Sequence, residues 1–392
     1  MHVLVLPSWY LTREAPAQGR YFADQAQALR RAGATVGVVY PELRSLRKAS
    51  PRLLRRNYFQ RSAAREQGVP TLRSHGWNLG WRSSLGARWR TREAGRLAAR
   101  YARRRGRPDV VHAHSGRWAA TAAARLSERW GVPYVVTEHF SGFQRGVAFR
   151  WERRLARRAL LDADGVAAVS TSLKRYLLEN GFARSARVLP NLVDTDFFTP
   201  PPSPQRQSPR RGKSFRLLAL GHLVRHKGHH VLLEALAQRV AGIGGARLEI
   251  GGAGPERAAL ERQAARLGIG QRVLFLGPLG RAGVRRALWR ADALVLPSLR
   301  ETFGVTLIEA MATGLPVVAT RSGGPEDIVT PRTGLLVPPG NASALTEALA
   351  EWVERRAFFQ SAAIRTYVRR HFGGEAVARQ LLHFYREACG GS

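Results

Sequence analysis

Residues 300–320 read RETFGVTLIEAMATGLPVVAT. The run just before them, ALVLPS, is short, apolar and bounded by turn formers, so it reads as a buried strand. TLIEAMATG carries apolar side chains at helical spacing, and PVVAT is again a short buried strand. Strand, turn, helix and strand in succession is the unit of a parallel sheet, whose crossovers are helical. Glu301 and Glu309 stand eight positions apart, a spacing that neither a helical i,i+4 pair nor strand alternation relates. Ligands of such sheets sit at the carboxyl ends of the strands, which is where this turn and both acids belong.

Outward from that stretch, the same rhythm continues in both directions. Upstream lie FRLLALG, the helix HHVLLEALAQRV, then RLEIGG, PERAALERQAARLG, RVLFLG and GVRRALWRA; downstream lies GLLVPP. The first half alternates likewise, through HVLVLP, a loop at Gly19, YFADQAQALRRAG, TVGVVY, DVVHAH, an Ala-rich helix near Trp118, PYVVTEH, GVAAVS and TSLKRYLLENG. Between the two series TPPPSPQRQSPRRGKS is too rich in proline for a core element and reads as a surface linker. The expected fold is α/β, with two doubly wound Rossmann-like domains facing an interdomain cleft. The expected limits are 1–199 for the first domain, 200–214 for the linker and 215–355 for the second domain. Helices over 356–392 close the chain, one of them expected to return across the first domain.

A chain of 392 residues with 44% apolar residues has the material for two cores. Its one cysteine, Cys389, excludes an intrachain disulfide framework and a multi-thiolate metal cluster and suits the cytoplasm. The first strand begins at residue 2, so a cleaved leader is not expected; no run is apolar enough to span a bilayer. Formal charge is 63 minus 28, or +35, almost all of it arginine. Its densest part, residues 44–107, holds 19 Lys or Arg against Glu66 and Glu93, with Trp77, Trp81 and Trp89 interspersed. Guanidinium groups beside indole rings suit an anionic membrane surface; a solvated or partner-binding face and a nucleic-acid surface remain open beside it.

The chemistry gathers around two loops. In LALGHLVRHKGHHVLLEAL a strand, a loop holding Lys227 and Gly228, and a helix can set a cation and free N–H groups around phosphate oxygens. Arg225 is a weaker candidate in the same loop. His222, His226, His229 and His230 lack the carboxylates of a metal site. In the opening stretch Gly304 allows close backbone approach, the N–H groups of Val305 and Thr306 can bind a diphosphate, Glu309 can reach a ribose diol, and Glu301 can approach sugar hydroxyls. The two acids thus mark two stations on one ligand. His112 and His114 share a strand face without a third metal ligand, and His114, nearer the strand end, is expected on the acceptor side. Asp194 and Asp196 only superficially suggest a metal-bound diphosphate.

Taken in order, GHLVRHKGHHVLLEAL, LEIGGAGPERAAL, RVLFLGPL, ADALVLPSLRETFGVTLIEAMATGLPVVATRSGGPEDIV and GLLVPPGN resemble the family-4 retaining glycosyltransferases of GT-B architecture, over nearly the whole chain. The resemblance implies transfer of a sugar, a hexose first, from a nucleoside diphosphate sugar with retention of configuration and no required cofactor or metal. It assigns Lys227 to the pyrophosphate, Glu309 to the ribose, and Glu301 with Phe303, Gly304 and Val305 to the transferred sugar and phosphate. Gly19 falls in the family's glycine loop, although the frequent second glycine is absent. VVTEHFSG places His139 at the reacting sugar, with Glu138 on the acceptor side. His222 stands where the family usually has arginine, leaving Arg225 to substitute. PNLVDTDFF matches a structural motif of the family. The acceptor expected is a glycan or lipid-linked glycan of envelope or exopolysaccharide synthesis, with the enzyme in the cytoplasm or peripheral at the inner membrane face and nucleic acid an unlikely partner. The competing readings are an epimerase or hydrolase of sugar nucleotides on the same architecture, and a nucleic-acid-binding protein.

Overall fold

The computed structural model describes residues 1–390 except 14, 16–17, 47–48, 79–82, 141, 203–214 and 239–244. Trp81 and the linker beyond residue 202 therefore lie outside the described residues. The chain divides into two compact units, Met1–Asn191 with Gly374–Ser392, and Leu192–Gly373.

The first unit runs β1 (His2–Pro7), α1 (Arg20–Arg31), β2 (Thr35–Ser45), α2 (Pro51–Arg56), β3 (Arg61–Glu66), β4 (Val69–Asn78), α3 (Ser84–Arg105), β5 (Val110–His114), α4 (Trp118–Trp130), β6 (Tyr134–Glu138), α5 (Arg150–Leu161), β7 (Gly165–Ala168), α6 (Thr171–Glu179) and β8 (Arg187–Val188). Its eight strands lie in the order β3-β4-β2-β1-β5-β6-β7-β8. All neighbours are parallel except β3 and β4, a hairpin turned by Gln67 and Gly68, both at positive φ. The central strands are continuous apolar runs because helices cover both faces: Val3 to Leu6, Val38, Val39, Val110, Val111, Val135 and Val136 are all buried.

The second unit runs β9 (Phe215–Leu220), α7 (His229–Ala237), β10 (Ala246–Gly251), α8 (Arg257–Arg266), β11 (Val273–Gly277), α9 (Arg281–Arg290), β12 (Ala293–Leu296), α10 (Val305–Ala312), β13 (Val317–Thr320), β14 (Gly334–Val337), α11 (Ala342–Arg355) and α12 (Ser361–Phe372). Its six strands are all parallel, in the order β11-β10-β9-β12-β13-β14. Strand order reverses between β9 and β12 here, and between β1 and β5 in the first unit. Those two points are where a doubly wound sheet opens a crevice for a ligand.

Helix starts divide by chemistry. Ser83, Ser170 and Asn341 cap α3, α6 and α11 with side-chain oxygens. Helices α1, α7 and α10 instead begin on left-handed glycines, Gly19, Gly228 and Gly304, with no side-chain cap. Their first-turn N–H groups are therefore left for something other than a capping side chain.

The unit limits differ from the sequence expectation at both ends. The first unit stops at Asn191, not 199, because Asp194 bonds Arg281 at 3.0 Å, Arg285 donates to the Phe197 carbonyl at 3.0 Å, and Trp289 donates to the Thr199 carbonyl at 2.7 Å. Arg365 of α12 adds bonds to the Phe198 and Thr195 carbonyls. The closing helices do not act as one block either. Helix α12 stays with the second unit, packed on α10, whereas α13 (Gly374–Ala388) packs on α1 of the first.

The arginine-rich stretch is also more structured than an interfacial insertion. Arg73 is buried between Glu42 at 3.1 Å and Glu66 at 2.7 Å, with its guanidinium over the Tyr10 and Tyr40 rings. Trp77 is buried and donates to the Asn57 carbonyl at 2.7 Å, so it cannot sit at headgroup depth. Trp89 stacks on Phe59. No helix among the described residues is long and apolar enough to cross a membrane.

Candidate functional site

In the second unit the loops that follow β9 and β12 are stitched together. Gly228 (φ 70°) lies so close to the β12 loop that a Cβ would come within 1.9 Å of the Pro297 carbonyl oxygen. Only glycine satisfies both conditions. The Leu299 N–H then bonds the His226 carbonyl at 2.8 Å. This contact carries Lys227 to Glu301, with Nζ 2.5 Å from Oε2, while Ser298 donates to the same carboxylate oxygen at 3.4 Å. Glu301 is held from below by its own backbone: its N–H bonds Ser322 and its carbonyl accepts from Gly324.

The β12 loop then enters α10 through Gly304 (φ 104°). The first turn closes with Leu307 N–H to the Gly304 carbonyl, so the Val305 and Thr306 N–H groups precede the first intrahelical bond. Val305, Thr306 and Glu309 lie on the half-buried face of α10, while Leu307, Ile308, Ala310, Met311 and Ala312 are buried. A cation, open N–H groups and a carboxylate one turn further on thus share one strand-end region. Phe303 is a different matter: its ring is buried against Phe372, and Gly324 presses on its backbone, so it can offer a ligand only its main chain. Arg225 is exposed beside His230 in the turn that carries Lys227, and His222 is exposed as well. Glu326 caps its own loop by accepting from the Gly323 N–H at 2.9 Å. Asp194 accepts from the Asp196 and Phe197 N–H groups and pairs with Arg281, which accounts for PNLVDTDFF structurally.

In the first unit Gly19 (φ 69°) starts α1, and a Cβ on it would come 2.8 Å from the Trp9 carbonyl. The first turn of α1 delivers Phe22 against His114 (ring centroids 4.3 Å) and His139 (4.9 Å), with Tyr21 5.5 Å from His139. His114 Nδ1 and His139 Nε2 share a hydrogen bond of 3.1 Å, and His112 lies 4.1 Å from His114, centroid to centroid. His112 is fully bonded, to Thr137 at 2.8 Å and to the Tyr385 hydroxyl of α13 at 2.7 Å. Burial lowers the pKa of all three rings, to about 3 for His112 and His139, so the cluster is neutral near pH 7. Ser115, next to His114, is a buried non-glycine residue at φ 76°, a conformation held only by its surroundings.

Glu138 departs from its expected acceptor role. It is fully buried, and its carboxylate accepts from the Gly116, His139 and Phe140 N–H groups at 2.7, 2.8 and 2.7 Å. It ties the loop after β5 to the loop after β6 and so fixes His139 from behind. Gly19, His114 and His139 come together in the first unit, and Lys227, Gly304, Val305, Thr306, Glu301 and Glu309 in the second. Sequence reasoning passed over Tyr21, Ser115 and Tyr385. Tyr21 was within reach, two residues after Gly19 at a helix start; Tyr385 lies 273 residues from His112 and had no local signal.

Among the described residues no cluster of His, Cys, Asp and Glu could hold a metal ion. Residues 18–197 match the Glycosyltransferase Family 4 profile, and residues 203–370 match that of glycosyl transferases group 1. The D-inositol 3-phosphate glycosyltransferase of Corynebacterium urealyticum is 31% identical over 306 residues, 71% of each chain. The putative teichuronic acid biosynthesis glycosyltransferase TuaC of Bacillus subtilis is 28% identical over 407 residues, 98% of each chain. Among solved structures, sucrose-phosphate synthase from Thermosynechococcus elongatus superposes with a TM-score of 0.78 at 22% identity over 100% of both chains. HepE from Anabaena in complex with UDP superposes at 0.73, also 22% identical, over 99% of this chain and 100% of that one. Two Rossmann-like units with glycine-started helices at their switch points, together with these matches, place the chain in the GT-B glycosyltransferases, as a member that transfers a sugar from a nucleoside diphosphate sugar to an acceptor.

Proposed function

We propose that the chain is a retaining hexosyltransferase whose second unit binds the donor nucleotide and whose first unit orients the transferred sugar and the acceptor. The observation that carries this is the joining of Lys227 to Glu301 beside the open start of α10. Charge grows on the diphosphate as the glycosidic bond breaks. Lys227 and the Val305 and Thr306 N–H groups are placed to stabilise it, and a preorganised cation in a partly dry site lowers the barrier to departure. Lys227 must first exchange the Glu301 carboxylate for phosphate. That exchange frees Glu301 for sugar hydroxyls as the donor enters. Glu309 reads the ribose, Gly19 approaches the donor or acceptor closely, and His139, neutral and backed by His114, accepts or donates one hydrogen bond to the sugar. Arg225 supplies any second side-chain contact to phosphate.

The acceptor we propose is a glycan or lipid-linked glycan of envelope or exopolysaccharide synthesis. TuaC, named as a putative teichuronic acid biosynthesis glycosyltransferase and matched over 98% of both chains, favours that reading. We further propose that the enzyme works in the cytoplasm at the inner membrane face, held there by the outer face of α3 and α4. A groove of about 560 Å³ on that face is lined by Arg92, Arg96, Arg100, Arg103, Arg125 and Arg129.

The decisive experiment titrates purified protein with UDP-, GDP- and ADP-sugars, then follows reactions with lipid-linked acceptors by mass spectrometry. Donor binding with a glycosylated product of retained configuration is the expected result. Free sugar or an isomerised donor, without product, would make the chain a hydrolase or epimerase; no nucleotide binding alongside tight RNA binding would overturn the donor site.

A further inference from the structure

The first unit contains a cavity of about 310 Å³ that the donor chemistry does not use, lined by Asn78, Arg90, Arg117, Glu152, Trp118, Phe140 and Trp151 among others. Asn78 ends β4, Arg90 projects from α3, Arg117 and Trp118 start α4, and Phe140 directly follows His139. Two of these side chains are left incomplete. Among the described residues, Arg90 Nε is buried without a hydrogen-bond partner, and its Nη2 reaches only the Leu43 carbonyl, at 3.5 Å. Among the described residues no carboxylate pairs with Arg90: burial disfavours its cation, Tyr40 opposes that, and Arg117 adds repulsion. Asn78 is 6% exposed, and its Oδ1 likewise has no partner among the described residues.

An amide acceptor and a guanidinium without a counterion, both at one cavity, are costly to bury. Each unmet polar group forfeits its hydration without a compensating bond, and a charged one forfeits more. The second arginine does not share the deficit. Arg117 is paired with Glu152, which also accepts from the Phe149 N–H at the start of α5, and it lies over the Phe140 ring at 4.8 Å. Arg117 therefore shapes the wall and Arg90 supplies the unbalanced charge. Trp118 is held rigidly, its indole N–H donating to the Ser8 carbonyl at 3.1 Å, and with Phe140 and Trp151 it offers flat faces to the C–H side of a sugar ring.

We infer that this cavity is an acceptor subsite that selects a hydroxylated acceptor unit bearing an anionic oxygen group, a phosphate or a carboxylate. Arg90 binds the anion, Asn78 Oδ1 accepts from a hydroxyl, and the aromatic wall holds the ring. The assignment rests on the glycosyl-transfer reading and sharpens it, from an acceptor of any kind to a charged one.

Calorimetric titration of the purified chain with glucose 6-phosphate, glucuronate and glucose tests it. At least one charged sugar should bind about tenfold tighter than glucose, as a charge-assisted contact implies. Arg90→Gln should abolish that difference while leaving UDP or GDP binding intact, and Arg96→Gln, on the outer groove, should not change it. Whichever of the two anions binds tighter identifies the charged group. Charged sugars that bind no better than glucose, or a preference that survives Arg90→Gln, overturn the assignment. Loss of nucleotide binding in the wild-type protein would strike the donor reading instead.

Discussion

The Lys227–Glu301 pair sets what single substitutions should do at the donor site. Lys227 is 22% and Glu301 12% exposed, so the pair is only partly screened. Lys227→Ala should lower kcat about 100-fold or more, because the cation that meets the leaving diphosphate is lost at the point where charge develops. Glu309→Ala should instead raise the donor KM about tenfold, the cost of one charged hydrogen bond to the ribose, with kcat less affected. Steady-state kinetics that show the same split in both variants would remove the two-station assignment. The buried histidines give a second test. An unfolded histidine takes up a proton as pH falls through about 6.5, whereas His112 and His139 resist to about 3 and His229 to about 4. The unfolded state binds more protons throughout that window, so stability falls as pH drops from 6.5 toward 3 and is fully present above 6.5. Each such histidine contributes about 1 kcal/mol of loss between pH 7 and 5.5, measurable by urea unfolding at the two values. His112→Gln should flatten the slope by one proton's worth.

At the scale of elements, the glycine-started helices are where sequence and site coincide. Gly228 is confined by a left-handed φ and by a carbonyl oxygen 1.9 Å from any added Cβ. Gly228→Ala should therefore cost about 2 kcal/mol or more and displace the Lys227 turn. Nucleotide binding should fall while the fluorescence of Trp118, buried in the first unit, stays unchanged. Gly228 and Gly304 were legible because strand, glycine and helix follow one another locally, and the strands were legible because parallel strands covered on both faces are continuous apolar runs. Hairpin β3–β4 was not: RSAARE is a largely exposed edge strand without apolar alternation, and its Arg61 and Glu66 pair with Glu93 and Arg73, partners that no local pattern reports. The unit limits were hidden for another reason. Residues 192–199 are held by Arg281, Arg285, Trp289 and Arg365, partners 87 to 170 residues away along the chain. Glu138 looked like a ligand because it sits beside His139 at a strand end, and no sequence pattern reports that three N–H groups already occupy it.

At the scale of the molecule, the question is where a charge of +35 goes. Part of it is structural: Arg73 holds β2 to the β3–β4 hairpin, and Arg281, Arg285 and Arg365 hold the chain after Asn191. The α3–α4 face is different, since its six arginines share one groove with Arg61, and among the described residues only Arg61 and Arg96 of these seven pair, both with Glu93. Anionic headgroups attract about 1 kcal/mol per arginine near the surface, and the attraction decays within about 8 Å at physiological salt. Trp77 is buried, so insertion by that indole contributes nothing, and the association we propose for this face is mainly electrostatic. Replacing Arg92, Arg96, Arg100 and Arg103 together by Gln should weaken sedimentation with phosphatidylglycerol vesicles about 100-fold or more. Raising salt to about 1 M should release the wild-type protein, because the Debye length then shrinks to about 3 Å. Transfer to a water-soluble acceptor should be unchanged in the variant, since none of the four lies at the donor site or in the Arg90 cavity. Vesicle binding that survives both the substitutions and high salt would place the membrane contact elsewhere and leave this face as a solvated surface.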